Sequence, residues 1–565
     1  MKIDPEVTAE ANLNWGKAVA DSFAKLGIFD VFFSPGSRST PLILGFERNT
    51  NFSTYPVLDE RSAAFIALGF SKRTSKPTIL VCTSGSALTH WFPAVVEASH
   101  SGIPLFLLSA DRPPELQNCG AGQTINQINL FGSFVRSFHQ ICLPELKTKP
   151  VNKLINSINE AFLNCLGQNP GPVHLNFPFR EPFLSSKTET FIDLDYPKLN
   201  TKFFAPDKNQ YAQEIKSISN EITNSNKPII IAGEFAQPDH LLKWLNNYSI
   251  PVFCDSLSPL RNINFKNRIL RYENLLRDKA FINTHSPDLV IILGPLPTSK
   301  TLRQWIDKSG SKRIIIEPRG INVDPLNSPS SKYSLPYEYL EKLIFRKVDP
   351  NWANKWTSKE QIISSILFTT LSEELPNFEG KLSYLLSLHI PINCQLHVSN
   401  SMPIRDVEWF WNAGDKRIRL YGNRGVNGID GTVGTAIGIA HKSCVPTFLL
   451  TGELGFLHDS NALLFSKQFE GSLNIFLINN KGGGIFENLN VVEQPEFEKC
   501  FVTPQDCNFE NLCLAHKVDF KQPKNWNEVV TLIQNPIKQG IRIIELKTDR
   551  KSDKEMRQKL LSIRA

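Results

Sequence analysis

The sequence predicts an α/β protein of three doubly wound parallel-sheet domains, on three observations. At 565 residues the chain is too long for one core, since a domain takes roughly 100–200 residues. Short runs rich in Ile, Val, Leu and Phe alternate with stretches of helical length, the rhythm of β-α-β units. That rhythm begins afresh twice, after polar, proline-containing stretches at 182–202 and 348–359 that read as linkers.

In the first domain, 1–190, a helix ends near Gly27 and a strand at 29–33 breaks into the loop Ser34-Pro-Gly-Ser-Arg-Ser. Strands follow at 55–58, 78–82 and 104–109, with helices at 61–71 and 86–98 between them. The middle domain, 200–350, has strands at 228–232, 251–254, 289–293 and 313–316. The third, 385–565, has them at 418–421, 447–450, 473–478 and 542–546.

Composition narrows the function. Hydrophobic residues make up 41% and charged residues 21%, so the chain is expected to fold throughout. A net charge of +7 without a basic block or an aromatic-interleaved basic stripe points away from nucleic acid and towards a basic pocket for anions. The ten cysteines include no Cys-x-x-Cys pair, and no His cluster stands at metal spacing, which argues against a zinc site or a disulfide framework. No apolar run approaches the roughly 20 residues of a membrane span, and the opening MKIDPEVTAE lacks the apolar centre of a secretory signal. A cytoplasmic protein with no membrane partner is expected.

Two loops in the third domain carry the strongest chemical signal. Thr451-Gly-Glu-Leu follows one strand and Asn479-Asn-Lys-Gly-Gly-Gly-Ile-Phe follows the next, with Glu453 and Asn480 27 residues apart. Either loop alone is ordinary turn chemistry. Together, at the strand ends where open α/β sheets bind ligands, they offer a carboxylate, an amide oxygen and glycine-loop carbonyls. These are hard donors suited to magnesium, and magnesium implies a phosphate. The pair looks like the diphosphate and metal motif of thiamine-diphosphate enzymes, Gly-Asp-Gly through Asn-Asn, with Glu453 in place of Asp and Leu454 in place of the second Gly. In the first domain, Val57-Leu-Asp-Glu-Arg-Ser places Glu60 between a strand end and a helix start. An acid there can simply complement the helix dipole. Thiamine chemistry, however, needs one carboxylic acid to hydrogen-bond the aminopyrimidine ring and so promote loss of the thiazolium C2 proton.

Several long motifs join these signals. Phe33-Ser-Pro-Gly-Ser-Arg-Ser-Thr-Pro-Leu, Leu58-Asp-Glu-Arg, Thr83-Ser-Gly-Ser-Ala, Ser109-Ala-Asp-Arg-Pro-Pro-Glu-Leu, Gln123-Thr-Ile-Asn-Gln, Gly422-Asn-Arg-Gly-Val-Asn-Gly-Ile-Asp-Gly and Asn480-Lys-Gly-Gly-Gly-Ile-Phe occur in order. Together they resemble the 2-succinyl-5-enolpyruvyl-6-hydroxy-3-cyclohexene-1-carboxylate synthase family, strongly in the first and third domains and thinly between about 195 and 390. The resemblance implies a pyrimidine-binding domain, a central domain without cofactor contacts, and a diphosphate- and metal-binding domain. It implies a homodimer or homotetramer, with the cofactor between the first domain of one subunit and the third of another.

By that resemblance the chain decarboxylates 2-oxoglutarate and adds the succinyl-semialdehyde unit to isochorismate, in menaquinone or phylloquinone biosynthesis. Thiamine diphosphate would meet Glu60, Ile429, Ser401, Gly452 and Asn480, with Ile429 as the apolar prop. Glu453, Asn480 and the Gly482 carbonyl would hold Mg2+ or Mn2+. Ser37, Arg38, Arg112 and Gln123, Lys300 of the middle domain, and Ser401, Arg405 and Arg424 would bind the substrates, with Ile485, Phe486 and Leu489 against the cyclohexadiene ring. Guanidinium forks suit the carboxylates of two polyanions. Thr301 stands where the family often has a second basic residue. The alternative is another thiamine-diphosphate-dependent 2-oxoacid decarboxylase or an acetolactate-synthase-like ligase; the loops Ser34–Arg38 and Asn423–Gly425 weigh against it. A nicotinamide dehydrogenase would need a Gly-x-Gly-x-x-Gly after an early strand, which the sequence lacks.

Overall fold

The computed structural model of the protein describes residues 4–185, 208–235, 239–326, 328–373 and 375–565, so most of the stretch 182–202 lies outside the described residues. Among the described residues there are three six-stranded sheets, parallel throughout. The first holds β1 (Asp30–Phe33), β2 (Ser53–Pro56), β3 (Thr78–Cys82), β4 (Leu105–Asp111), β5 (Phe138–Gln140) and β6 (Val173–Pro178), in the order β2-β1-β3-β4-β6-β5. The second holds β7 (Pro228–Ala232), β8 (Val252–Cys254), β9 (Arg268–Ile269), β10 (Leu289–Leu293), β11 (Lys312–Ile316) and β12 (Ser331–Tyr333), in the order β12-β11-β10-β7-β8-β9. The third holds β13 (Gln395–Val398), β14 (Arg419–Tyr421), β15 (Thr447–Gly452), β16 (Ser472–Asn479), β17 (Asp519–Lys521) and β18 (Gly540–Lys547), in the order β14-β13-β15-β16-β18-β17.

The first and third sheets therefore share one strand order, whereas the second runs outwards in both directions from its first strand. In each, the order reverses between two central strands, and that crevice at the carboxyl ends is where such sheets take ligands. It falls between β1 and β3 in the first sheet and between β13 and β15 in the third. Strands β3, β4, β7, β10 and β16 are buried along their whole length. Burial on both faces explains why most of them read as unbroken apolar runs.

Several sequence expectations are corrected here. The strand expected at 55–58 lies at Ser53–Pro56, because Thr54 and Tyr55 pair with Val31 and Phe32. The helix expected at 86–98 is a 3-10 turn, Ala87–Trp91, running into a helix Phe92–Ser101 with Pro93 in its first turn. Strands β5, β6, β9, β12, β13 and β17 went unread. The supposed linker 348–359 is helical from Trp352, which opens a helix Trp352–Ser372. Trp352, Trp356 and Ile363 on it are buried in the apolar cluster behind the second sheet, with Ile229, Ile231, Phe253 and Ile292.

The chain packs as two compact units. One comprises Met1–Ala205, Asn423–Cys444 and Phe456–Gly471 and contains the first sheet; the other comprises Pro206–Gly422, Val445–Gly455 and Ser472–Ala565 and contains the second and third. In the first unit the helix Thr432–Ala440 lies on the helix Glu60–Thr74 so closely that Cβ atoms on Gly69 and Gly438 would come within 2.1 Å of Thr435 O and 2.0 Å of Ile66 O. Glycine at both positions is what permits this contact. No described helix is long and apolar enough to cross a membrane.

Candidate active site

In the first unit the candidate residues follow the carboxyl ends of neighbouring strands. The loop after β1 carries Ser37, exposed, and Arg38, 4% exposed. It presses on the end of β3: a Cβ on Gly36 would lie 2.3 Å from Thr83 Cβ. Arg112 follows β4, and its Nη1 donates to Ser84 Oγ at 2.6 Å. Gln123, at φ +57°, donates through Nε2 to Ser84 O at 3.1 Å and accepts at its carbonyl from Ser84 Oγ, also at 3.1 Å. Ser84 thus ties two of the predicted substrate residues together.

Arg38 is held more tightly by the protein than a free fork would be. Its Nη1 donates to Phe179 O at 2.8 Å and its Nη2 to Glu181 at 2.6 Å, while the guanidinium lies 4.8 Å from the Phe183 ring. Burial first, and then the charge of Arg112, lowers its affinity for a proton. The Glu181 carboxylate, bonded to Nη2, and Asp111 act in the opposite sense.

Glu60 opens the helix Glu60–Thr74, and the capping task falls to its neighbour. Asp59 Oδ1 accepts from the backbone N–H groups of Arg61 at 2.8 Å and Ser62 at 3.4 Å. Asp59 Oδ2 accepts from Asn461. The half-buried Glu60 carboxyl is left to other work. It lies near the end of β3, where the Cys82 thiol is pushed up by burial and then by the Glu60 charge.

Arg424 and Ile429 are half-buried in the loop Asn423–Gly431 of the same unit. Glu97, 2% exposed, holds this loop: its two carboxylate oxygens accept from the N–H groups of Gly425 and Val426, each at 2.9 Å. Ser101 Oγ donates to the same carboxylate at 2.7 Å.

In the second unit the carboxyl ends of β13, β15 and β16, adjacent in the sheet, bring together Ser401, Gly452 and Glu453, and Asn480. Ser401 sits at φ +74°, ψ −127°, a strained setting for a side chain, at the start of the helix Met402–Phe410; Arg405 Nη1 donates to its carbonyl. Glu453 is 1% exposed, and one of its oxygens accepts the N–H of Gly482. Burial pushes its carboxyl up to about 7, against backbone N–H donors that lower it. Gly482 adopts φ +136°, and a Cβ there would meet Val502 Cγ1 at 2.3 Å. Phe486 packs against Phe501 with ring centroids 5.8 Å apart, Ile485 is half-buried and Leu489 is 51% exposed.

These residues fit a divalent cation and a diphosphate. Asn480 Oδ1 is buried with no hydrogen-bond partner, a hard oxygen with nothing to satisfy it. A Cβ built on Gly452 meets nothing within 4 Å, so the strand end beside Glu453 is open. Lys300 is exposed in the first turn of the helix Lys300–Lys308 beyond β10, and its neighbour Thr301 donates to Glu273 at 2.6 Å.

Residues 13–130 match the family described as thiamine pyrophosphate enzyme, N-terminal TPP binding domain. The fold is similar to that of a benzoylformate decarboxylase from Polynucleobacter necessarius, with a TM-score of 0.69 over 95% of this chain and 99% of that one, at 15% identity. The three parallel sheets have the fold of that decarboxylase, and the matched N-terminal region is of the thiamine-pyrophosphate-binding type. Among curated proteins it is 38% identical to the 2-succinyl-5-enolpyruvyl-6-hydroxy-3-cyclohexene-1-carboxylate synthase of Trichodesmium erythraeum (strain IMS101), over 97% of each chain. To the synthase of the same name from Microcystis aeruginosa (strain NIES-843 / IAM M-2473) it is 40% identical, over 95% of this chain and 97% of that one. The chain belongs to the 2-succinyl-5-enolpyruvyl-6-hydroxy-3-cyclohexene-1-carboxylate synthase family.

Sequence reasoning missed Ser84, although it lies inside a quoted motif, and Glu97, which no local pattern marks. The bonds of Arg38 also change what a substitution there should do. Arg38→Lys forfeits the bonds to Phe179 O and Glu181 and is expected to lower Tm as well as activity. Arg424→Lys is expected to lower kcat/KM roughly tenfold or more with Tm unchanged. Thermal melts beside steady-state kinetics check both; an Arg424→Lys protein that melts early and turns over normally would make Arg424 structural.

Proposed function

We propose that the chain decarboxylates 2-oxoglutarate and adds the resulting four-carbon unit to isochorismate, giving 2-succinyl-5-enolpyruvyl-6-hydroxy-3-cyclohexene-1-carboxylate for menaquinone or phylloquinone synthesis. The observation that supports the substrate assignment is that buried Arg38 follows β1 and Arg112 follows β4, at carboxyl ends of the first sheet, with Ser84 bonding both Arg112 and Gln123, a setting for carboxylates. The division into residues 1–190, 200–350 and 385–565 assigns pyrimidine binding to the first domain and diphosphate and metal binding to the third. A cytoplasmic homodimer or homotetramer is part of the same proposal.

Bound thiamine diphosphate supplies the carbon nucleophile and the electron sink for decarboxylation. Glu60 shares a proton with the pyrimidine ring nitrogen, a task its freedom from capping leaves open. Ile429, half-buried in its loop, would give the cofactor an apolar support. Glu453, the Asn480 amide oxygen and the Gly482 carbonyl hold Mg2+ or Mn2+, which neutralises the diphosphate. Ser37, Arg38, Arg112, Gln123, Ser401, Arg405, Arg424 and Lys300 orient the two polyanions, and Ile485, Phe486 and Leu489 line the apolar side of the ring.

Donor choice tests the assignment. Pyruvate carries a methyl group where 2-oxoglutarate carries its distal carboxylate, so it leaves a cationic partner unsatisfied and is expected to be a poor donor. Equal kcat/KM for the two donors would replace this reading by the acetolactate-synthase-like alternative.

A further inference from the structure

We propose that Glu379 is a positioning residue for the metal end of the cofactor site: it fixes the side-chain amide of Asn480 so that Oδ1 is presented to the cation, and Arg557 of the last helix holds Glu379 in place. The inference rests on the reading of Asn480 as a metal ligand.

An asparagine amide can turn over, exchanging its oxygen and nitrogen, and the bond at one end decides which atom the other end presents. Asn480 Nδ2 donates to Oε2 of Glu379 at 3.3 Å. A carboxylate only accepts, so the turned amide would set oxygen against oxygen. Oδ1 is therefore the atom aimed away from Glu379, and it is the buried oxygen with no protein partner. A Cβ on Gly484 would come within 2.8 Å of Nδ2, so a glycine there leaves the amide its place.

Glu379 is itself fixed from two sides. It opens the helix Glu379–His389 and is 2% exposed. Its Oε1 accepts from Arg557 Nη2, and its backbone N–H donates to Asp553 Oδ1 at 3.1 Å. Asp553 and Arg557 stand four residues apart on the helix Arg550–Leu561 and so share a face. The same guanidinium forks onto Asp406, with Nε to Oδ1 and Nη2 to Oδ2 both at 2.7 Å. Asp406 lies on the helix Met402–Phe410, so one buried arginine ties the carboxylate behind Asn480 to the helix that begins beside Ser401.

Partners that orient a metal ligand in this way are worth about 10–100-fold in metal affinity. The test is Mn2+ binding to the full chain in the presence of thiamine diphosphate, read by the free-ion EPR signal, for Glu379→Gln, Asn480→Ala and the double variant. Glu379→Gln is expected to weaken Mn2+ about 10–100-fold, Asn480→Ala at least as much, and the double variant no more than Asn480→Ala alone, because Glu379 acts through Asn480. Weakening by Asn480→Ala with wild-type affinity in Glu379→Gln would overturn this inference and leave the ligand reading standing. Additive losses in the double variant would likewise reduce Glu379 to a structural role. Unchanged affinity in Asn480→Ala would overturn both. Should Glu379→Gln fail to fold by circular dichroism, Glu379→Asp, which keeps the charge and withdraws the carboxylate by one methylene, is read by the same three outcomes.

Discussion

Glu60→Gln is expected to slow exchange of the C2 proton of bound thiamine diphosphate by about 10²–10⁴-fold, the contribution of a well-placed acid–base group, with Tm and cofactor affinity near those of the parent. The physical ground is the division of labour at the start of the helix Glu60–Thr74. Asp59 accepts from two of the N–H groups that the first turn leaves free, so the neutral amide at position 60 costs the helix little. What it loses is the ability to share a proton with the ring nitrogen. Exchange followed by NMR after rapid quench separates the two roles. Parental exchange in the variant would return Glu60 to the helix dipole and leave the first unit without its acid.

The second large effect belongs to Glu453. Glu453→Ala is expected to abolish metal-dependent binding of thiamine diphosphate, whereas Glu453→Asp, which restores the commoner residue of the motif, should stay active. Glutamate is one methylene longer than aspartate, and magnesium insists on oxygens at about 2.0–2.1 Å in near-octahedral array. The open space around Gly452 lets the strand end sit back to accommodate the longer side chain. Magnesium should therefore support activity, with manganese at least as good. Because burial pushes the Glu453 carboxyl up to about 7 and the cation needs the ionised form, metal and proton compete. Apparent metal affinity should fall as pH drops below about 7, roughly tenfold per unit, and be flat above it. Isothermal titration at several pH values measures this. An alanine variant that binds cofactor and metal normally would remove Glu453 from the metal shell.

Much of this protein was legible because its chemistry is local in sequence. β3, β7 and β10 are continuous apolar runs, and their bounds fall where the sequence put them. The strand ends carry their loops with them, so the segments around Arg38, Glu60, Glu453 and Asn480 could be read directly. β13 was not, since Gln395-Leu-His-Val mixes polar and apolar residues although all four are buried. The helix Trp352–Ser372 hid behind the Asp349-Pro-Asn turn and its lysines, and only tertiary burial of Trp352 and Trp356 reveals it. β5, β9, β12 and β17 are edge strands of two or three residues, too short for any periodicity.

The supporting residues were illegible for a different reason. Arg38 finds Phe179 and Glu181 at separations of 141 and 143 residues, and Glu97 reaches Gly425 across 328. Nothing near Glu379 or Arg557 signals that they meet, 178 residues apart. Loop motifs announce which atoms face a ligand, whereas the bonds that aim those atoms are made by the fold.

The proposed reaction is tested most directly by the consumption of isochorismate by the purified protein, followed by its ultraviolet absorbance. With thiamine diphosphate, Mg2+ and 2-oxoglutarate all present, isochorismate should disappear and the 2-succinyl product form in equal amount. Omission of any one of the three should stop the reaction. Release of CO2 from 2-oxoglutarate without loss of isochorismate, or loss of isochorismate without 2-oxoglutarate, would contradict it.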